Sequence, residues 1–327
     1  MKFLKVPKAR GEEVRSKLTE AAIFSPGYPI LSEGDYLLFP VIGPYQDFEI
    51  VEREAEKREL PFMKLRDALA DLLTESELQE LTTSFDLIGD IAIVEIPQSL
   101  VPKEKQIGEA LLKVHRSIRT VLKKLGPMEG EYRVRRLKLI AGEDKTETTY
   151  KEHGCLMKFD VSKVYFSIRL STERKRISNL AGPGERILVL FAGVGPFALV
   201  IAKDHPDAGI TAVELNPDAA ASMRENIALN KLPNISVLEG DARSFSYSDF
   251  DRIVMPLPHS ADQFLDLAFS AAKPGGTIHF YTLASSKNPL VDAKSKIREN
   301  YEISSWRVVR PYSADTVQVV LDLVKPK

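Results

Sequence analysis

From about residue 161 the chain alternates short apolar runs with longer amphipathic stretches. Runs such as Ile187-Leu188-Val189-Leu190 are too short for a core helix and rich in β-branched residues, so they predict strands. Strands are expected at 186–191, 209–214, 235–240, 251–256 and 276–282, with helices between them at 196–203, 217–230, 261–273 and 288–299. Strands spaced by helices imply a parallel sheet covered on both faces. Two more strands, 301–309 and 316–324, follow with only 310–315 between them. That loop is too short for a crossover, so this last pair must run antiparallel. The expected fold is α/β, a Rossmann-like, mostly parallel sheet of seven strands.

The first 160 residues follow a different pattern. Residues 1–45 suggest a small α/β unit with a polar helix at 10–21 and a strand from Tyr36 to Val41. The charged stretch 50–62, which includes Pro61, suggests a linker. Helical segments are expected near 63–83 and a strand at 91–96. Ile107, Leu111, Ile118 and Leu122 lie at helical spacing and predict one basic helix from Gln106 to Leu125. Strands are expected at 131–141 and 155–161. The division is then 1–60, 61–160 and 161–327, two smaller α/β domains before the large one. No repeat or low-complexity tract interrupts it.

Composition narrows the class. The chain has 327 residues, 44% hydrophobic and 28% charged, ordinary values for a globular protein. Cys155 is the only cysteine, so no internal disulfide forms, which suits a reducing compartment. The N-terminal segment lacks the apolar core of a signal peptide. Residues 187–202 carry no charge, but a spanning helix needs about 20 apolar residues, and Gly193, Gly195 and Pro196 break this run. It reads as a buried strand, turn and helix, and the expectation is a cytoplasmic protein with no membrane partner. The net charge is −1, yet residues 103–138 hold 11 Lys or Arg against four Glu. Lys113, Arg116, Arg119, Lys123 and Lys124 are candidate phosphate contacts, with a solvated helix face as the equal alternative.

The strand at 186–191 runs into Phe191-Ala192-Gly193-Val194-Gly195-Pro196-Phe197. Glycines here permit a sharp turn and close approach of a ligand. Glu214 ends the next strand and suits two ribose hydroxyls; Asp241 ends the third and suits an adenine amino group. Pro196 removes a backbone N–H where a pyrophosphate needs donors. S-adenosylmethionine has no phosphate, so it is the expected cofactor. Phe191, Gly193, Val194, Gly195, Glu214, Leu215, Asp241, Ala242 and Pro258 are the cofactor candidates, and no metal is expected. The fourth strand ends in Met255-Pro256-Leu257-Pro258, where the prolines fix the backbone and leave carbonyls free.

At this point the sequence resembles the archaeal and eukaryotic tRNA (guanine-37-N1) methyltransferases. The matching segments are EYRVRRLKLIAGE at 131–143, YKEHGCLMKFDVSKVYFSIRLSTERKRI at 150–177, FAGVGPF at 191–197, VELNP at 213–217 and GGTIHFYT at 275–282. The resemblance covers most of 85–327 and implies a class I methyltransferase domain behind two RNA-binding domains. The first of those would hold the tRNA elbow, the second the anticodon stem-loop, in a chain able to work as a monomer. It implies that Glu173 and Arg133 are the catalytic pair and that Arg174 lies near the cofactor. Tyr165 and Arg169 would contact the target nucleotide or cofactor, with Arg135 and Pro256 also on the substrate side. Spacing alone reads Glu173 as a helix N-terminal acid behind a Ser171 or Thr172 cap, and Arg133 as a strand-surface charge. Pro256 departs from the asparagine common in the family, and Ile168 from a proline. A wyosine precursor at the same tRNA position, methylated or given an aminocarboxypropyl group, is the alternative substrate.

Overall fold

The computed structural model describes residues 1–21, 23–25, 27–45, 48–56, 64–297 and 301–327. Residues 57–62 of the expected linker, Pro61 among them, and the last two residues of the expected helix 288–299 lie outside them. The chain forms two compact units, Met1–Ala68 and Leu69–Lys327.

The first unit holds β1 (Lys2–Pro7), α1 (Gly11–Glu20), β2 (Leu31–Glu33), β3 (Tyr36–Pro40) and β4 (Ile50–Glu52). Its antiparallel sheet has the order β2-β3-β1-β4. Val14 and Leu18, four apart on α1, pack with Leu4, Val6, Phe39 and Val41 into a small core.

In sequence, α2 (Leu65–Leu69) runs across the boundary between the units, and α3 (Glu75–Glu80), started by a Thr74–Glu77 capping box, is the first helix wholly in the second. Then come β5 (Asp86–Ile88), β6 (Ile91–Val94), α4 (Glu104–Val114), β7 (Thr120–Glu129) and β8 (Val134–Gly142), with sheet order β5-β6-β7-β8. The expected helix Gln106–Leu125 is therefore two elements. It stops at Val114, and Thr120-Val121-Leu122 are buried in β7 between β6 and β8. A strand paired on both sides buries consecutive residues, so Ile118 and Leu122 matched helical spacing by coincidence. Lys123 and Lys124 consequently point to carboxylates, Lys123 to Glu104 at 2.8 Å and Lys124 to Glu95 at 2.9 Å. Lys113, Arg116 and Arg119 are exposed.

A hairpin of β9 (Glu147–Glu152) and β10 (Cys155–Asp160) leads to α5 (Ser171–Leu180). The large sheet follows: β11 (Arg186–Leu190), α6 (Pro196–Asp204), β12 (Gly209–Glu214), α7 (Pro217–Asn230), β13 (Ile235–Glu239), β14 (Phe250–Met255), α8 (Leu265–Ala271), β15 (Ala272–Ser285), α9 (Pro289–Lys294), β16 (Glu302–Pro311) and β17 (Thr316–Val324). Its order is β13-β12-β11-β14-β15-β17-β16, parallel from β13 to β15 and antiparallel at β17 and β16. The apolar run at 187–202 is the β11–turn–α6 unit. Successive β11 residues point to opposite faces, so Ile187 and Val189 join the core under α5, α6 and α7, while Leu188 and Leu190 join the core under α8 and α9. Each fully buried side chain of this size stabilises the fold by roughly 1.5–3 kcal/mol. No helix among the described residues is long and apolar enough to cross a membrane.

Candidate active site

In a parallel sheet the ligand crevice lies beyond the carboxyl ends of the strands. A cavity of about 980 Å³ opens there, beyond β11, β12 and β13. Its lining includes Phe191, Gly193, Glu214, Leu215, Asp241 and Ala242, together with Tyr165. Phe191 meets Phe264 edge-to-face at 4.8 Å between ring centroids, which gives the cavity an aromatic wall.

Glu214 anchors this crevice. Its Oε2 accepts from the Gly193 N–H at 2.6 Å and its Oε1 from the Asn216 N–H at 2.8 Å. Burial pushes its pKa up, against the pull of those backbone donors. Gly193 has φ 57°, and a Cβ there would meet only the Tyr165 carbonyl oxygen, 3.7 Å away. The glycine thus serves the turn and keeps the cradle open. Gly195 serves a different end: at φ 90°, its Cβ would lie 2.8 Å from the Met223 Cγ. Asp241 faces Arg243, whose Nε and Nη2 donate to it at 3.0 Å and 2.6 Å, and this partner holds the carboxyl below its ordinary range.

Several expected contacts do not line this cavity. Val194 is fully buried in the core, and Gly195 caps α6. The Pro258 carbonyl accepts from the Leu283 N–H, and Leu257 lines the cavity instead. Arg174 is 1% exposed, paired with Glu152 and sandwiched against Phe166 and Phe197. Arg243, Phe264 and Tyr132 line the cavity without having been anticipated. Arg243 was within reach of sequence reasoning, because a residue two beyond a strand-end aspartate can fold back onto it.

A second cavity of about 480 Å³ is also lined by Tyr165. Arg133, Arg135, Lys124, Asp86 and Phe166 are among its lining residues. Arg133 sits at φ 54° in the turn before β8, with its guanidinium 5.7 Å from the Tyr165 ring centre. Arg169 is exposed and donates to Asp86 at 2.9 Å. Pro256 is half-buried and lines neither cavity.

Glu173 is not on either lining. It is 2% exposed in the first turn of α5, whose N-cap is Leu170; neither Ser171 nor Thr172 caps the helix. The Glu173 Oε2 accepts from the Arg176 Nε at 2.9 Å and from the Tyr281 hydroxyl at 2.8 Å. Its Oε1 is buried without a hydrogen bond, with the Arg307 Nε 3.4 Å away. The structure therefore brings Arg133 and Tyr165 together, and sets Glu173 apart from them beneath α5.

A run of charged groups continues from Glu173 along the same face of the sheet. Arg176 donates to Asp322 at 2.7 Å, and the His279 Nδ1–H donates to Asp322 at 2.6 Å. The Arg252 guanidinium lies 2.7 Å from the His279 Nε2 and pairs with Glu185. Since guanidinium only donates, Nε2 carries the lone pair and His279 is neutral. Burial, the largest influence, lowers the His279 pKa, and the Asp322 contact offsets it in part. Below its ordinary value of 6.5 an unfolded chain takes up a proton that His279 does not, so stability falls as pH drops. The thermal midpoint is expected to decline between about pH 7.5 and 5.5, less steeply in His279→Gln. An unchanged midpoint over that range would contradict the assignment.

Comparison with known proteins decides the lineage. A model of the TRM5/TYW2 methyltransferase domain matches residues 148–308, a TYW2 N-terminal domain 65–146, and a tRNA methyltransferase 5 N-terminal domain 4–49. The chain is 40% identical to the tRNA (guanine(37)-N(1))-methyltransferase Trm5b of Pyrococcus abyssi, over 98% of this chain and 97% of that one. The chain belongs to the TRM5/TYW2 methyltransferase family. Within that family, the solved complex of aTrm5 with tRNALeu is similar at 31% identity, with TM-score 0.84 and 99% of each chain covered. The Methanocaldococcus jannaschii TYW2 structure in complex with AdoMet is similar at 28% identity, with TM-score 0.56, covering 74% of this chain and 98% of that one. The donor set fits a TRM5/TYW2 methyl donor: a half-buried carboxylate able to accept from hydroxyls, an open glycine cradle and an aromatic wall suited to a purine.

Proposed function

We propose that this protein transfers a methyl group from S-adenosylmethionine to N1 of the guanosine at tRNA position 37. The observation that carries the reading is Tyr165, which lines both the Glu214 cavity and the Arg133 cavity. A cofactor on one side and a flipped-out base on the other meet at that ring. Glu214 would hold the ribose, Phe191 and Phe264 the adenine, and Arg133, Arg135 and Arg169 the target nucleotide. S-adenosylmethionine, when bound, supplies an electrophilic methyl group on a sulfonium.

The chain's own residues prepare the nucleophile. N1 of a neutral guanine carries a proton and is a poor nucleophile until a base removes it. Glu173 is the base in this reading, taking the proton on Oε1, the oxygen that accepts no hydrogen bond. Loss of the proton moves negative charge to the guanine O6, where the Arg133 guanidinium stabilises it. Catalytic contacts of this kind often close only when substrate is bound, so the target base has to reach past Arg307 to Oε1.

The small N-terminal domain of residues 1–60 would bind the tRNA elbow and residues 61–160 the anticodon stem-loop, in a cytoplasmic enzyme acting as a monomer. The test is methylation of tRNA transcripts with guanine or adenine at position 37, followed by nucleoside mass spectrometry. N1-methylguanosine on the first transcript alone, with S-adenosylhomocysteine as by-product, is expected. Methylthioadenosine would instead indicate aminocarboxypropyl transfer. Modification only of a transcript that already carries a wyosine precursor would replace guanosine as the substrate.

A further inference from the structure

We infer that the loop joining β16 to β17 is a docking platform for single-stranded RNA, on which Tyr312 stacks against a nucleobase adjoining the flipped-out target and Arg310 takes its phosphate. The inference rests on the reading of the protein as a tRNA methyltransferase and deepens it.

A register shift places the platform. β16 and β17 pair antiparallel, Arg307 opposite Val320, Val308 opposite Val319 and Arg310 opposite Gln318, with a bulge between Val308 and Arg310. Val320 and Gln318 are two apart on β17 and share a face, so the bulge returns Arg310 to the face of Arg307. On that face the Arg307 Nε approaches the Glu173 Oε1. Gln318 also pairs with Leu283, near the carboxyl end of β15, where the ligand crevice of a parallel sheet lies. Arg310 is therefore on the Glu173 face of the sheet and at its crevice end.

Three side chains converge there. The fully buried Gln318 accepts from the Arg310 Nε at 2.8 Å, which pins the guanidinium. Among the described residues, Nη1 and Nη2 of Arg310 have no hydrogen-bond partner. The guanidinium lies 5.9 Å from the centre of the Tyr312 ring. Tyr312 is 40% exposed, meets His259 edge-to-face and shares a hydrogen bond with its Nε2 at 2.9 Å. His259 sits in the loop after β14, next to Ser260, which lines the Glu214 cavity. The Pro258 carbonyl before it is fixed by the Leu283 N–H. Burial, then the nearby Arg133 charge, lowers the His259 pKa, so the His259–Tyr312 pair also neighbours Arg133.

The chemistry of the cluster selects its occupant. A base that flips into a pocket leaves the next base in the strand with an unstacked face. Every base has a π-face, so a tyrosine at the mouth replaces the lost stack whatever the sequence of the loop. A guanidinium beside it, with donors still to give, suits the phosphate of the same nucleotide. Arg133 and Arg135, at the neighbouring cavity, add charge of the sign that a phosphate chain requires. The platform thus serves the nucleotide flanking the target, not the target or the cofactor.

Tyr312→Ala should weaken binding of a tRNA transcript about tenfold, with the affinity for S-adenosylmethionine unchanged. Tyr312→Phe keeps the ring and should recover most of that loss. Arg310→Gln should flatten the slope of log affinity against log salt by about 0.7, the share of one phosphate contact on a single strand.

The experiment uses the full chain and an anticodon stem-loop transcript carrying 2-aminopurine at position 36 or at position 38, with thermal melts alongside. Stacking quenches this base, so at one of the two positions the Tyr312→Ala complex should be brighter than the wild-type and Tyr312→Phe complexes. Equal fluorescence at both positions, or wild-type affinity in folded Tyr312→Ala, overturns the inference. Tyr312→Phe as weak as Tyr312→Ala also overturns it, since the hydroxyl and not the ring would then matter. An equal loss of S-adenosylmethionine affinity would show a structural loop and overturn it as well. The methylation assay separates the two levels. No methylation by wild type removes the proposed function, whereas N1-methylguanosine from wild type beside an unaffected Tyr312→Ala removes only the platform.

Discussion

Replacing Glu173 by glutamine is expected to lower the methylation rate by a factor of about 10² to 10⁴ while the protein stays folded. Glutamine keeps the volume of the site and an oxygen that still accepts from Arg176 and Tyr281. Arg176 also keeps Asp322 as its partner, so no buried cation is stranded. What disappears is the capacity to take a proton from N1. Arg133→Ala should produce a loss of similar order by a different route, through unneutralised charge on O6. Arg133 lies in a turn, not in the core, so its removal should leave the melting temperature unchanged. The checks are single-turnover methylation and a thermal melt on each variant. Wild-type rates in both folded variants would end the proposed mechanism.

Glu214→Ala is expected to weaken S-adenosylmethionine binding by on the order of 100-fold. Alanine deprives two backbone N–H groups of their acceptor, those of Gly193 and Asn216, and removes the proposed partner of the ribose hydroxyls. The lost hydrogen bonds from the ribose hydroxyls to a charged acceptor, each worth roughly 1.5–3 kcal/mol, set the affinity change, since about 1.4 kcal/mol is tenfold; the two orphaned backbone donors cost stability in free and bound protein alike. Glu214→Gln retains one acceptor and should fall between the two. Calorimetric titration with the cofactor reads all three, and equal affinity in wild type and Glu214→Ala would separate Glu214 from cofactor binding. Because burial raises the Glu214 pKa, binding should also weaken on the acid side sooner than an exposed glutamate would dictate.

The relation of pattern to structure differs from element to element. The β11–turn–α6 unit was legible because a strand buried on both faces must be a continuous apolar run, and Gly193 and Gly195 mark the turn. The closing hairpin was legible from loop length alone. The stretch 106–125 misled for the same reason that β11 did not: an apolar pair at helical spacing also fits a strand whose neighbours cover it. At the site, strand ends placed Glu214 and Asp241, but not the side chain that each one faces. His279 and Tyr281 stood inside a segment already singled out, two apart on one strand and so on one face. Nothing local marked them as partners of Asp322 and Glu173.

What this chain's sequence determined by itself is whatever depends on near neighbours: the alternation of strands and helices, the parallel sheet with its antiparallel close, and the carboxylates at the strand ends. Periodicity and turn chemistry act over a few residues, so they can be read along the line. Only the tertiary structure decided which charges meet. Glu173 finds Tyr281 and, through Arg176, Asp322, partners separated from it by more than a hundred residues. The ionisation of Tyr281 and Asp322 depends on burial and on distant partners, and neither exists until the sheet and α5 have packed together.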